Sequence, residues 1–231
     1  GTGSPEAESF RKNFRYEDYS GPGTDPSQRL KDMDRDNIEA EVLYASQMRH
    51  LYEMSATNEP FFHDICDSYN EWLLDYTSYD TKRLIAQPMI SILNPEQAAK
   101  DMEKYLARGA RGFQIASSVP MGMSYADPKF DRLWAIATEA DVPMAMHTTT
   151  GRFKQILGHY AFARTSGAAD GMKYARWFIG GQLEIEFSLA EMIYGGLLDR
   201  FPTLKLVTAE FGISWVAGIV DRLSRQDRRL G

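Results

Sequence analysis

The chain has 231 residues, 43% of them hydrophobic and 25% charged, with a formal net charge of −6. Those values suit a globular protein with a sizeable core and argue against nucleic acid, whose binders present basic surfaces. No run approaches the ~18 apolar residues of a membrane helix, no secretory leader is visible, and the single cysteine, Cys66, allows no internal disulfide. A cytoplasmic location, with no membrane partner, is the resulting default.

Residues 1–23 are rich in Gly, Ser, Pro, Glu and Arg without a sustained apolar period, and read as an irregular arm. Residues 24–231 read as one α/β domain. Asp25-Pro26 is a helix start, with Asp as the N-cap and Pro at the first helical position. The helix gives way at Asn37 to a first strand over 38–44, followed by a loop over 45–60. A long helix over 59–79 has one apolar face: Phe62, Ile65, Cys66, Tyr69, Trp72, Leu73 and Tyr76. Cys66 reads as a small buried hydrophobe, and His63, off the stripe, as a surface residue.

A second strand spans 83–90. Asn94-Pro95 opens a helix that runs to Arg108, with Gly109 as its left-handed stop. A third strand spans 111–117, and Asp127-Pro128 opens the next helix. The apolar run of Val142, Met144, Ala145 and Met146 suits a strand buried on both faces, ending at His147. The loop beyond is long and polar, and holds Thr148, Thr149, Thr150, Gly151, Arg152, His159 and Arg164. Loops of that length in compact domains tend to be functional or disordered. Helices are expected near 168–179 and 182–200, a fifth strand over 204–209 ending at Glu210, and a last helix over 214–228. Five strands, each followed by a helix, predict a parallel sheet with right-handed crossovers. The pattern fits an open doubly wound sheet or part of an eight-stranded barrel.

Neither standard glycine-rich phosphate loop nor a G-x-S-x-G elbow occurs. The four histidines, His50, His63, His147 and His159, form no H-x-H or H-E-x-x-H pair. In parallel α/β folds chemistry collects at the carboxyl ends of the strands. The groups placed there are Gln114, His147 and Glu210, with His50 following the first strand. An imidazole at a strand end can bind a metal or move a proton.

Four stretches carry a resemblance to a known family: DPSQRLKDMDRDNIEAEVLYAS, SYNEWLLDYTSYDTKRLIAQPMISILNPEQAAKDMEKYLARGARGFQI, DPKFDRLWAIATEADVPMAMHTTTG and LLDRFPTLKLVTAEFGISWVAGIVDRL. In that order, from about Phe10 to Leu223, the chain resembles the amidohydrolase-related hydrolases and decarboxylases. That branch contains aminocarboxymuconate semialdehyde decarboxylase and the resorcylate-type decarboxylases. The resemblance implies a (β/α)8 TIM-type barrel, here incomplete at about five βα units, and in the complete enzyme one divalent metal, zinc or manganese, at the C-terminal face.

It implies that His147 is a metal ligand. Glu210 stands where several of these decarboxylases carry a histidine, as a further ligand or proton shuttle, and Arg152 would anchor an anionic substrate. Gln114, His50 and His159 are the candidate substrate contacts. The family's first-strand ligand pair and eighth-strand Asp are not visible, so the chain reads as the central part of a longer enzyme: a truncated product, a gene fragment or a processed piece. The resemblance implies a metal-dependent hydrolase or non-oxidative decarboxylase of a small carboxylate or carbonyl substrate, in a homo-oligomer. The competing reading is a catalytically incomplete barrel serving as a binding or subunit-interaction module. Two probable ligands fall short of the three that hold a catalytic zinc, so these residues alone are expected to bind no catalytic metal tightly.

Overall fold

Three parallel strands in register form the centre of the fold. The structure, a computed structural model, describes residues 21–45, 48–120, 122–148, 150–151 and 183–230, with the side chains at 49, 50, 53 and 226–230 left aside. Contacts divide the chain into two units, residues 1–42 with 75–85 and residues 43–74 with 86–231.

In the first unit, helix α1 (Pro26–Arg35) begins as the sequence predicts. The Asp25 carboxylate accepts from the backbone N–H groups of Ser27 and Gln28. Arg83 ties the turn after α1: it donates to the Ile38 and Glu39 carbonyls, each at 2.9 Å, and meets Asp34 at 2.6 Å.

Strands β1 (Glu41–Leu43) and β2 (Leu84–Ala86), each with two of its three residues in the first unit, pair with one another. The second unit carries the larger sheet. Strands β3 (Phe113–Ala116), β4 (Met144–His147) and β5 (Leu206–Ala209) form a parallel sheet in that order. A parallel bridge between Met89 and Gln114 links the segment after β2 to β3. Every residue of β3 and β4 is buried, whereas β5 is half-exposed. The apolar runs FQIA and MAMH are thus those of strands covered on both faces. All five strands are shorter than the sequence predicts. At β2 the cause is Pro88, which has no N–H to give to a ladder; its carbonyl instead accepts from the Gln114 N–H at 2.8 Å.

The 45–60 segment corrects its reading as a plain loop. It forms a 3-10 turn (Met48–Leu51) and a short helix α2 (Tyr52–Ser55). Tyr52 anchors them: its buried hydroxyl donates to the Gln114 carbonyl at 2.7 Å and its ring packs 5.1 Å from that of Phe62. Helix α3 (Glu59–Thr77) buries Phe62, Cys66, Leu73 and Tyr76, as its stripe predicts, but leaves Trp72 exposed. Burial raises the Cys66 thiol well above its usual range, which suits its reading as a core hydrophobe. His63 is not a plain surface residue: its ring is only 24% exposed and lies 2.9 Å from Asp101 of helix α4 (Pro95–Ala107).

Asn94 caps α4 and Gly109 follows it at φ +96°, as expected. Asp127 opens a 3-10 turn (Pro128–Phe130) that runs into helix α5 (Asp131–Glu139). Tyr125, Phe130 and Trp134 form the aromatic centre of the core. Tyr125 donates its hydroxyl to the Ala116 carbonyl at 2.5 Å, directly behind the end of β3. The helix expected at 168–179 lies outside the described residues.

The helix expected over 182–200 is broken. Helix α6 covers 183–194 and helix α7 (Leu197–Arg200) follows Gly195-Gly196. Gly196 takes φ +70°, and a Cβ at Gly195 would stand 2.2 Å from that of Ala126, so close packing dictates the first glycine and the turn the second. Helix α8 (Ser214–Leu230) ends the chain.

One buried amide joins α3 to the sheet. Asn70, fully buried, donates to the Met89 carbonyl and accepts from the Met89 N–H, both at 2.8 Å. Asn70→Ala leaves both backbone groups without their partner. The expected loss is about 2–4 kcal/mol of unfolding free energy by denaturant titration, against less than about 0.5 kcal/mol for an exposed control such as Glu103→Ala.

Candidate functional site

The register of β3, β4 and β5 decides what meets at their ends. Ala116 pairs with His147, and His147 with Ala209. The next residues, Ser117, Thr148 and Glu210, therefore stand in one row at the carboxyl edge.

His147 is 3% exposed. Its Nδ1 lies 2.9 Å from the Thr148 carbonyl. A carbonyl only accepts, so Nδ1 carries the proton of the neutral ring, and the Nε2 lone pair is left for a proton or a metal. Nε2 lies 3.5 Å from Glu210 Oε1. Tyr44, after β1, sets its ring edge-on at 5.8 Å; burial raises its phenol above the usual value.

Glu210 is exposed, and its backbone is unusual. Among the described residues, the non-glycine residues at positive φ are Asn37, Asp141 and Glu210, the last at +64°. Asn and Asp visit that region readily because their short side chains bond locally, whereas for Glu it costs about 1 kcal/mol or more. The sharp turn it makes directs the carboxylate toward the imidazole.

Behind this pair lies a cluster that the sequence reading did not single out. Glu184, on α6, is 1% exposed. Its Oε2 accepts from Ser117 Oγ at 2.9 Å and its Oε1 from Ser118 Oγ at 2.7 Å. The Thr150 hydroxyl lies 2.6 Å from the His147 carbonyl and accepts from the Ser117 N–H at 2.7 Å. A Cβ on Gly151 would stand 2.3 Å from both Glu184 Oε1 and Ser118 Oγ, so only glycine fits there. Beside the cluster opens a cavity of about 260 Å³, lined by Ser118, Thr150 and Gly151 with Tyr52, Ile92 and Pro120. The signal for Glu184 was slight: Glu184 and Ser188 are polar residues one turn apart, both buried with Ile185 and Met192.

The other candidates fall elsewhere. Gln114 sits inside β3 rather than at its end; its Oε1 accepts from the Ala45 N–H at 3.2 Å, and its Nε2 has no partner among the described residues. His50 lies in the 3-10 turn after β1, with its side chain outside the description. Arg152 and His159 lie outside the described residues.

As a metal site the described donors fall short. His147 Nε2 and Glu210 offer two ligands, and no group of three His, Cys, Asp or Glu side chains that could hold an ion occurs among the described residues. A catalytic zinc is normally held by three protein ligands. An imidazole nitrogen 3.5 Å from a carboxylate oxygen is an arrangement in which a proton can be exchanged.

Comparison with known proteins gives the family and the fold. The chain is 22% identical over 192 residues to the 2-amino-3-carboxymuconate-6-semialdehyde decarboxylase of Dictyostelium discoideum, covering 83% of this chain and 49% of that one. It is 22% identical over 208 residues to the decarboxylase orsB of Emericella nidulans, covering 88% and 58% respectively. The chain thus spans about half the length of the curated relatives it matches. Among solved structures, an amidohydrolase from Mycobacterium avium subsp. paratuberculosis superposes with TM-score 0.79 at 24% identity, covering 94% of this chain and 56% of that one. A 5-carboxyvanillate decarboxylase from Novosphingobium aromaticivorans, solved with manganese, gives 0.66 at 18% identity, covering 99% and 60%. These likenesses show a TIM-type fold, of which the described residues include five strands. The amidohydrolase family pattern matches residues 14–229, and the chain belongs to that family.

Proposed function

We propose that this chain contributes the His147–Glu210 strand end to a non-oxidative decarboxylase of a small carboxylate. One observation carries the reading: a buried imidazole, its Nδ1–H fixed on the Thr148 carbonyl, faces a strained strand-end carboxylate at 3.5 Å. In the reaction the carbon–carboxylate bond breaks and carbon dioxide leaves. The electron pair stays on carbon and takes a proton there. His147 Nε2 holds and delivers that proton, and Glu210, open to solvent, replenishes it. Arg152, five residues after His147 in the sequence, is the proposed anchor of the substrate carboxylate, with Gln114, His50 and His159 as further contacts. Both curated relatives are decarboxylases by name, which supports this arm over hydrolysis. In the hydrolytic alternative the same Nε2 takes a proton from water attacking a carbonyl. A cytoplasmic setting fits a lone buried thiol.

The complete protein, assayed for carbon dioxide release from dihydroxybenzoates, carboxyvanillate and aminocarboxymuconate semialdehyde, tests this. His147→Ala is expected to lower turnover about 10²- to 10⁴-fold. Glu210→Gly relieves the left-handed strain, so it is expected to lower turnover while keeping or raising stability by up to about 1 kcal/mol. Unchanged turnover in His147→Ala removes the assignment.

Ligand counting gives a separate expectation. After dialysis, this chain carries far less than one zinc or manganese per molecule by metal analysis. A near-stoichiometric ion that disappears in His147→Ala shows that further ligands join the pair.

We also propose that the protein self-associates. Phe187 on α6, Val207 on β5 and Val220 on α8 are exposed, and exposed apolar side chains of that size favour burial against a partner. The same residues support the rival reading, an interaction module without catalysis. Light scattering after size exclusion is expected to give a multimer. A monomer at every concentration counts against both self-association and the module.

A further inference from the structure

We propose that Glu184 is a positioning residue for His147, acting through Ser117 and Thr150. The inference rests on the hydrogen-bond directions and leans on the proposed function only for why His147 must be held.

A carboxylate can only accept, so both serine hydroxyls that touch Glu184 are forced to donate to it. Ser117 then has no hydroxyl proton left for Thr150. Toward Ser117 Oγ, at 3.4 Å, the Thr150 hydroxyl can then only donate, and the much nearer His147 carbonyl, at 2.6 Å, takes its proton. The Ser117 N–H closes the chain on Thr150 Oγ1. A run of directed bonds thus leads from Glu184 to the main chain of His147, one residue from the Thr148 carbonyl that fixes its ring. Burial of a charged group is expensive unless it is hydrogen-bonded, and shape alone does not require one here: a glutamine fills the same space. What glutamine lacks is the sense of direction. Its NH2 end must oppose one serine hydroxyl, which turns round to accept. If that serine is Ser117, its freed proton turns to Thr150 Oγ1 and competes there with the Ser117 N–H, loosening the link from Ser117 to Thr150 and the His147 carbonyl. Gly151, which only fits without a Cβ, keeps the carboxylate and the strand-end loop in contact.

Nitrogen-15 NMR of the imidazoles, with amide hydrogen exchange, tests this in the full chain. The four histidines are assigned by single substitution. In Glu184→Gln the His147 ring signals are expected to shift and the Ser117 amide to exchange about tenfold faster, while the His63 ring, held by Asp101, keeps its signals. Thr150→Val, which removes the hydroxyl at constant volume, is expected to reproduce both changes, and Thr150→Ser, which retains it, neither. If Glu184→Gln does not fold, the Thr150 pair decides alone. His147 signals that stay fixed in Glu184→Gln, or in Thr150→Val, overturn the proposal. None of these readouts needs turnover. His147 signals that respond in a protein whose His147→Ala variant is fully active leave the positioning role intact and remove only the decarboxylase reading.

Discussion

The in-register parallel ladder of β3, β4 and β5 is the constraint on which the site depends. Strand period is two and register is set by burial, so slipping β4 by one residue would turn Met144 and Met146 to the faces now held by Ala145 and His147. Both β3 and β4 are buried on both sides, and neither face tolerates the exchange. The same pairing that satisfies the core therefore sets His147 level with Ala116 and Ala209, and Glu210 beside it. Chemistry at the strand end is a by-product of a ladder that packing already determines.

Support for that row comes from two directions. Below it, the Tyr125 hydroxyl and the Trp134 indole bind backbone carbonyls at 2.5 and 3.2 Å, so the aromatic core is tied to the chain as well as packed. Beside it, Glu184 draws the ends of β3 and β4 together through three hydroxyls. Apolar packing alone sets distances loosely; a fully bonded polar cluster also sets directions. Strain stands at the left-handed Glu210, where a rigid ladder and the turn that follows hold it.

Much of this was legible in the residues. A doubly buried strand has a simple signature, a short apolar run between polar turns, and MAMH followed by TTT shows it. Asp25-Pro26, Asn94-Pro95 and Gly109 mark helix ends because their backbone chemistry leaves few alternatives. Glu184 was not legible, since a single glutamate beside Leu183 and Ile185 looks like any solvated helix position; its burial depends on serines 66 and 67 residues away. The break at Gly195-Gly196 was missed for the same reason, as the close approach that requires Gly195 comes from Ala126, far off in sequence. His63 was misplaced because apolar periodicity says nothing about a carboxylate on the next helix. Pairwise polar contacts between distant segments are what a local pattern cannot hold.

The central claim is that the fold holds the His147 ring with Nδ1–H on the Thr148 carbonyl and Nε2 toward Glu210. Long-range nitrogen–proton correlation of the His147 ring in the unmodified chain reads this arrangement directly. The account predicts a proton on Nδ1, with a nuclear Overhauser contact from the ring to the Glu210 side chain. A ring whose Nδ1 carries no proton, or one with no proximity to Glu210, would contradict it.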